Sequence, residues 1–259
     1  MAQLCAVAGI GQTQYSARRD DVSIAGLLRE AATRALEDAG MDWPDIEAVV
    51  VGKAPDMFEG VMMPELYLAD ALGCSGKPML RVHTAGSVGG STAIMAASLV
   101  QAGIHERVLT VSFEKQSESN AMWALTVKTP LQASVVAGAG GYFAPLVRAY
   151  MNRSGAPDDT GIRVALKNPY AHLRDPNMSF DAIADSPMLW DPIRLHEACP
   201  SSDGACALVL TSERSVRKTQ YAPAWIHATS MRSEPTMFAG QEKVNPQAGR
   251  DCAKDVYKK

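Results

Sequence analysis

The feature that most constrains the fold is an order that repeats: an apolar run, a segment of helical period, then another apolar run. Leu4 to Ile10 is short and apolar and is punctuated by Gly9 and Gly11, which predicts a buried strand followed by a turn. Ile24, Leu27, Leu28, Ala31, Ala32, Ala35, Leu36 and Ala39 recur at helical spacing, with Ser23 before them and Gly40 after. That pattern predicts a capped amphipathic helix. Pro44, Asp45 and Ile46 lead into Ala48 to Val51, an apolar strand closed by Gly52. The order then recurs, with Met62 to Leu72 helical, Met79 to His83 a strand, Ser91 to Ala102 helical and Arg107 to Phe113 a β-branched strand. Such alternation predicts an α/β fold with helices on both faces of a sheet and right-handed connections.

Ligands of such sheets sit beyond the carboxyl ends of the strands, which singles out the turn Thr84 to Gly90. In "RVHTAGSVGGSTAIMAASLV" a strand runs through a sharp small-residue turn into an apolar helix, the usual way of presenting a nucleophile at a helix N-terminus. The reactive position holds Gly86. Ser87 reads either as a replacement nucleophile or as a helix cap. His83 reads as a general acid or base, or as a hydrogen-bonding residue at a strand end. Gly86, Gly89 and Gly90 either let a ligand reach backbone N–H groups that would stabilise an oxyanion, or permit close backbone packing. Glu114 and Lys115, at the end of the following strand, read as pocket residues or as a solvated ion pair.

From about Lys115 to Pro200 glycines and prolines become frequent, around one helix near Phe143 to Arg153. This stretch is expected to be an excursion lying over the sheet. "GAGGYFAP", Gly138 to Pro145, lacks the Lys-Ser/Thr ending of a phosphate loop, so no nucleotide fingerprint is read there. Ser202-Asp203-Gly204 reads as a tight turn before a strand at Cys206 to Thr211. A further strand is expected at Ala224 to His227, and helical periodicity returns near Ala248. That last helix reaches Lys259 without a glycine stop, and an incomplete chain is the expectation.

Composition narrows the function. With 25 basic and 28 acidic residues and no long run of one sign, a nucleic-acid or polyanion partner is not expected. The five cysteines form no CxxC pair and no Cys/His cluster of zinc spacing, so no metal is predicted and buried thiols in a reducing compartment are. No apolar run approaches a bilayer span, and the N-terminus lacks a signal pattern, so a cytoplasmic protein is expected.

Several stretches resemble the thiolase superfamily, and within it the lipid-transfer or sterol-carrier type. They are "VVVGKAPDMFEGVMMPELYLADALG", "RVHTAGSVGGSTAIMAASLVQAG", "EKQSESNAMWAL", "KNPYAHLR", "SPMLWDPIRLHEACPSSDGACALVLTS" and "NPQAGRDCAKDVY", in the family's order. The resemblance implies a layered α-β-α fold of two similar halves, of which this chain carries the first and the opening of the second. It divides the chain into a core half at 1–114, a loop excursion at 115–200, a return strand at 201–222 and the start of a C-terminal core at 223–259. The approach to "NPYA" also looks shorter than in the family. Alignment through Arg81-Val82 and Gly89 places the family's nucleophilic cysteine at Gly86, so no acyl-enzyme can form there.

The same resemblance implies no covalently bound cofactor and a coenzyme A thioester as substrate. Thr84, Gly89, Gly90 and Gly140 would face it, and His172 and Arg174 would either meet its phosphates or lie on the surface. It implies a homo- or hetero-dimer with a thiolase-like subunit and a small OB-fold, zinc-ribbon partner of the kind that steroid side-chain aldolases use. The implied activity is retro-aldol cleavage of a β-hydroxyacyl-CoA. The alternatives are an acyltransferase with a nucleophile from elsewhere and a non-catalytic subunit. The catalytic base is expected beyond Lys259, since Tyr142, Tyr150, Tyr170, Tyr221 and Tyr257 match no motif.

Overall fold

The computed structural model describes residues 3–54, 63–118, 138–168, 175–216, 221–234 and 244–258. The chain forms two compact units. The first comprises Met1–Asn120, Ser202–Met231 and Cys252–Lys259, and the second Ala121–Ser201 and Arg232–Asp251.

The first unit is built on a six-stranded sheet. In chain order its elements are β1 (Cys5–Gln12), α1 (Ile24–Ala39), β2 (Ala48–Gly52), α2 (Glu65–Ala71), β3 (Met79–Val82), α3 (Val88–Gln101), β4 (Arg107–Lys115), β7 (Asp203–Ser212) and β8 (Ala224–Ile226). The strand order is β3-β2-β4-β7-β1-β8. β2 is parallel to both β3 and β4, and β7 joins β4 and β1 antiparallel. All five residues of β2 are buried, as an interior parallel strand covered on both faces requires.

Side-chain alternation along the strands assigns each face its own core. Val49, Val51, Leu109, Val111 and Phe113 turn toward α1 and α2 and meet Leu27, Leu28, Ala31, Ala35 and Leu68. Ala48, Val50, Val108 and Leu210 turn the other way and meet Ala96, Ala97 and Val100 of α3. α1 begins where Ser23 Oγ accepts the Gly26 N–H at 3.1 Å. It ends at Gly40, whose φ of 63° continues no helix.

Two glycines of β1 fix how closely α1 can lie. A Cβ on Gly9 would stand 2.3 Å from the Ala35 carbonyl oxygen, and one on Gly11 2.1 Å from that of Ala31. The alanines of α1 therefore rest on bare strand backbone. The expected strand to Ile10 runs on to Gln12, and the second glycine is part of it.

The segment expected to be loose is more regular than its glycines and prolines suggest. The second unit contains α4 (Gly138–Ser154), α5 (Thr160–Lys167), α6 (Phe180–Ala184) and a hairpin of β5 (Met188–Trp190) and β6 (Ile193–Arg194). "GAGGYFAP" is the first part of α4 rather than a loop, with Pro145 inside the helix. Gly140 is small because a Cβ there would lie 2.8 Å from Trp190 Cδ1. α7 (Gln247–Tyr257) matches the expected terminal helix. Among the described residues no helix is long and apolar enough to cross a membrane.

Not all cysteines are buried. Cys5 and Cys74 are, and burial pushes the Cys5 thiol up to about 11. Cys199 and Cys206 are exposed, the latter near the start of β7 on the face that Leu210 shares.

Two outcomes test these contacts. Gly11→Ala forces a methyl into the Ala31 carbonyl, and it should lower unfolding stability by about 3 kcal/mol in urea titrations. Glu106 accepts hydrogen bonds from Ser212 Oγ and, at 3.0 Å, from Ser215 Oγ, and these hold its carboxyl below the ordinary range. A carboxyl so lowered stabilises the fold above its unfolded pKa, near 4.3, and loses that contribution as pH falls through the folded value. Ser212→Ala should therefore lower the melting temperature at pH 7, and the difference from the parent should shrink as pH drops below about 4.

Candidate functional site

The carboxyl ends of the three parallel strands converge on one region of the first unit. β3 ends at Val82, whose carbonyl accepts the Lys53 N–H at 3.4 Å, just beyond the end of β2. His83 and Thr84 follow, then a single 3-10 turn, Ala85–Ser87, leads into α3. The turn is sharp enough to hold Ala85 at φ 49°, a left-handed conformation that costs a non-glycine residue roughly 1–2 kcal/mol.

A loop of hydroxyl bonds ties this elbow together. Thr84 Oγ1 donates to Ser91 Oγ at 2.7 Å, Ser91 Oγ donates to the Ser87 carbonyl at 3.2 Å, and Ser87 Oγ donates to the Thr84 carbonyl at 2.8 Å. One turn further on, Thr92 Oγ1 donates to the Val88 carbonyl at 2.7 Å. Ser87 is therefore not a cap by its side chain, since its hydroxyl donates to the Thr84 carbonyl and no helix N–H reaches it.

The glycines of the elbow face open space. A Cβ built on Gly86, Gly89 or Gly90 would meet nothing within 4 Å, and all three are exposed. Close packing thus does not explain them. Gly52 is the opposite case, because its Cβ would stand 2.2 Å from Thr92 Oγ1 and 2.5 Å from Ser112 Oγ. His83 is exposed and makes no hydrogen bond among the described residues. Gly140 lies in α4 of the other unit, against Trp190. His172 and Arg174 lie outside the described residues.

Charges gather at the same strand ends. Lys53 is fully buried, with Nζ 3.5 Å from the Ala54 carbonyl oxygen and 6.0 Å from the Phe113 ring centroid. Glu114 Oε1 accepts the Ala54 N–H at 2.6 Å and joins the ends of β2 and β4. Lys115 is buried and paired with Glu118, which replaces the expected solvated Glu114–Lys115 pair with two separate and more protected contacts. Asp203 is fully buried. Its carboxylate accepts the Ser117 N–H at 2.9 Å, Ser117 Oγ at 2.6 Å and the Arg19 N–H at 2.9 Å. It is the first residue of β7 and a polar anchor of the sheet, not part of a tight turn. Lys53 is not singled out by the sequence, and Asp203 reads there only as a turn residue. The available signal for Lys53 was a lysine placed directly after an all-apolar strand and its closing glycine.

Chemically, the elbow offers the N-terminal backbone N–H groups of a fourteen-residue helix, unobstructed by side chains. Such a helix end favours negative charge. It offers no thiol, and the described residues contain no group of three or more His, Cys, Asp or Glu arranged to hold a metal.

No protein-family model matches the chain. Human sterol carrier protein 2 is 25% identical over 276 residues, which cover 98% of this chain and 50% of that protein. An acetyl-CoA acetyltransferase of Methanothermobacter thermautotrophicus is 26% identical over 241 residues, 88% of this chain and 62% of the relative. A solved structure, the Ltp2-ChsH2(DUF35) aldolase, superposes with a TM-score of 0.78 at 24% identity, covering 98% of this chain and 69% of that one. The chain has a thiolase-like fold and is similar in sequence to proteins of the sterol-carrier, lipid-transfer type. It spans about half the length of human sterol carrier protein 2. In this chain the elbow after β3 carries glycine at position 86 and no thiol.

Gly86→Cys tests the elbow directly. There is room for the side chain, and a helix N-terminus lowers a thiol's pKa. The introduced thiol should be alkylated at pH 7 faster than Cys199 of the same protein, as read by peptide mass spectrometry. A slower reaction would mean that this turn does not activate a nucleophile.

Proposed function

We propose that this chain handles a coenzyme A thioester without forming an acyl-enzyme, and that it cleaves a carbon-carbon bond of a β-hydroxyacyl-CoA by a retro-aldol reaction. The observation that carries the reading is Gly86: the elbow keeps its helix N-terminus and its hydroxyl ties, and leaves open the space a thiolate would fill. In the reaction a base removes the hydroxyl proton, and a carbonyl forms as the bond between the α and β carbons breaks. The electron pair passes to the thioester as an enolate, which is then protonated at the α carbon. The elbow N–H groups bind the developing oxyanion, the term that such donors supply in acyl chemistry. No thiolate is needed for any of these steps.

Likeness to the Ltp2-ChsH2(DUF35) aldolase in fold supports this reading, and the acetyltransferase and sterol-carrier relatives support a thioester as substrate. The acyl group in this proposal is a lipid or steroid side chain, the assembly is a dimer with a thiolase-like subunit, and a small OB-fold, zinc-ribbon protein is the partner. A second reading, a silent subunit that supports an active paralogue, is favoured by one observation: exposed His83 makes no hydrogen bond at the elbow among the described residues.

The purified complex incubated with a β-hydroxyacyl-CoA should release an aldehyde or ketone, and Gly86→Leu should lower that turnover by roughly a hundredfold by blocking the N–H groups. Thiolysis of a β-ketoacyl-CoA with free coenzyme A, in place of carbonyl release, would instead assign the acyltransferase activity. Neither product would leave the silent subunit.

A further inference from the structure

The second unit has a cavity of its own, about 350 Å³, unrelated to any residue of the elbow. Its walls are mainly aliphatic, with Val147 and Met151 from α4, Val164 from α5 and Ile193 from β6. At about 30 Å³ per water-sized group it has room for roughly a dozen non-hydrogen atoms. That places it at the small end of ligand pockets, which are mostly apolar with few polar groups to fix orientation.

The polar residues of the wall include Tyr150, Asn168 and Glu197. Glu197 Oε2 accepts the Arg194 N–H at 2.6 Å, which holds the side chain in place. Its Oε1 lies 2.0 Å from where a Cβ on Gly161 would be, so the missing side chain of Gly161 is what lets the carboxylate reach the wall they share. Oε1 accepts no hydrogen bond among the described residues. Thr160, beside it, already donates its hydroxyl to the Pro157 carbonyl at 2.6 Å, and His196 on the same wall is already partnered.

We infer that this cavity binds an uncharged lipophilic alcohol, an aliphatic or alicyclic group whose hydroxyl donates to Glu197 Oε1. The apolar walls take the hydrocarbon, and Glu197 Oε1, which accepts no hydrogen bond among the described residues, takes the hydroxyl. A ligand ending in a carboxylate would set its acceptor oxygens against another acceptor, with no proton to share between them. The inference is independent of the reaction proposed above, and its readout does not require turnover.

Cys199 supplies the readout, being an exposed thiol on the cavity wall. The full chain is alkylated with iodoacetamide in the presence of decanol or decanoate, and each cysteine is followed by peptide mass spectrometry. Decanol at ten times its dissociation constant should slow Cys199 about tenfold and leave Cys206 unchanged. Decanoate at the same concentration should protect far less, and Glu197→Gln should raise its protection to that of decanol. Val147→Phe and Val164→Trp each fill the cavity and should abolish protection by decanol while the alkylation rate of Cys206 stays as it was. Should one of them fail to fold, the other serves. The inference is overturned if decanol leaves Cys199 unprotected, if it protects Cys206 equally, or if decanoate protects the parent chain as well as decanol does.

Discussion

The distance between α3 and the sheet governs what the elbow can present, and Gly52 sets it. With any side chain at this position, Thr92 and Ser112 would be displaced, and with them the first turns of α3. Thr92 and Ser91 spend their hydroxyls on carbonyls one turn back, so the helix brings its own polar groups to the sheet already satisfied. The sharp entry through Ala85 follows from this closeness. A helix starting so near the end of β3 leaves only three residues of 3-10 turn in which to reverse direction.

Holding the elbow in that shape without a nucleophile changes what it can contribute. A thiolate would act by bond formation, whereas backbone dipoles act only on charge that develops in a bound ligand, and they are effective because they need not reorganise. Lys53 is buried at the neighbouring strand end, over Phe113. The open space at Gly86, Gly89 and Gly90 keeps those N–H groups approachable.

Spacing revealed the strands and helices through β4, because each helix buries one face and the interior strands bury both as continuous apolar runs. It also placed the elbow, since a strand, a small-residue turn and an apolar helix follow one another without interruption. The glycines misled in the second unit. Gly140 and Gly161 look like loop residues, yet each sits in a helix and is small because Trp190 or Glu197 comes from far along the chain to lie against it. Asp203 resembled a turn aspartate for the same reason, its partners Ser117 and Arg19 being remote in sequence.

By itself the sequence determined the alternation of elements, the caps of α1 and the absence of sulfur at position 86, because each depends on residues close together in the chain. Only the tertiary structure decided that the elbow glycines face open space while Gly52 and Gly9 do not, that Lys53 and Lys115 are buried, and that Glu197 reaches a cavity wall. These are properties of approach between distant segments. A glycine reads the same in sequence whether it is bare for want of a neighbour or because a neighbour is too near.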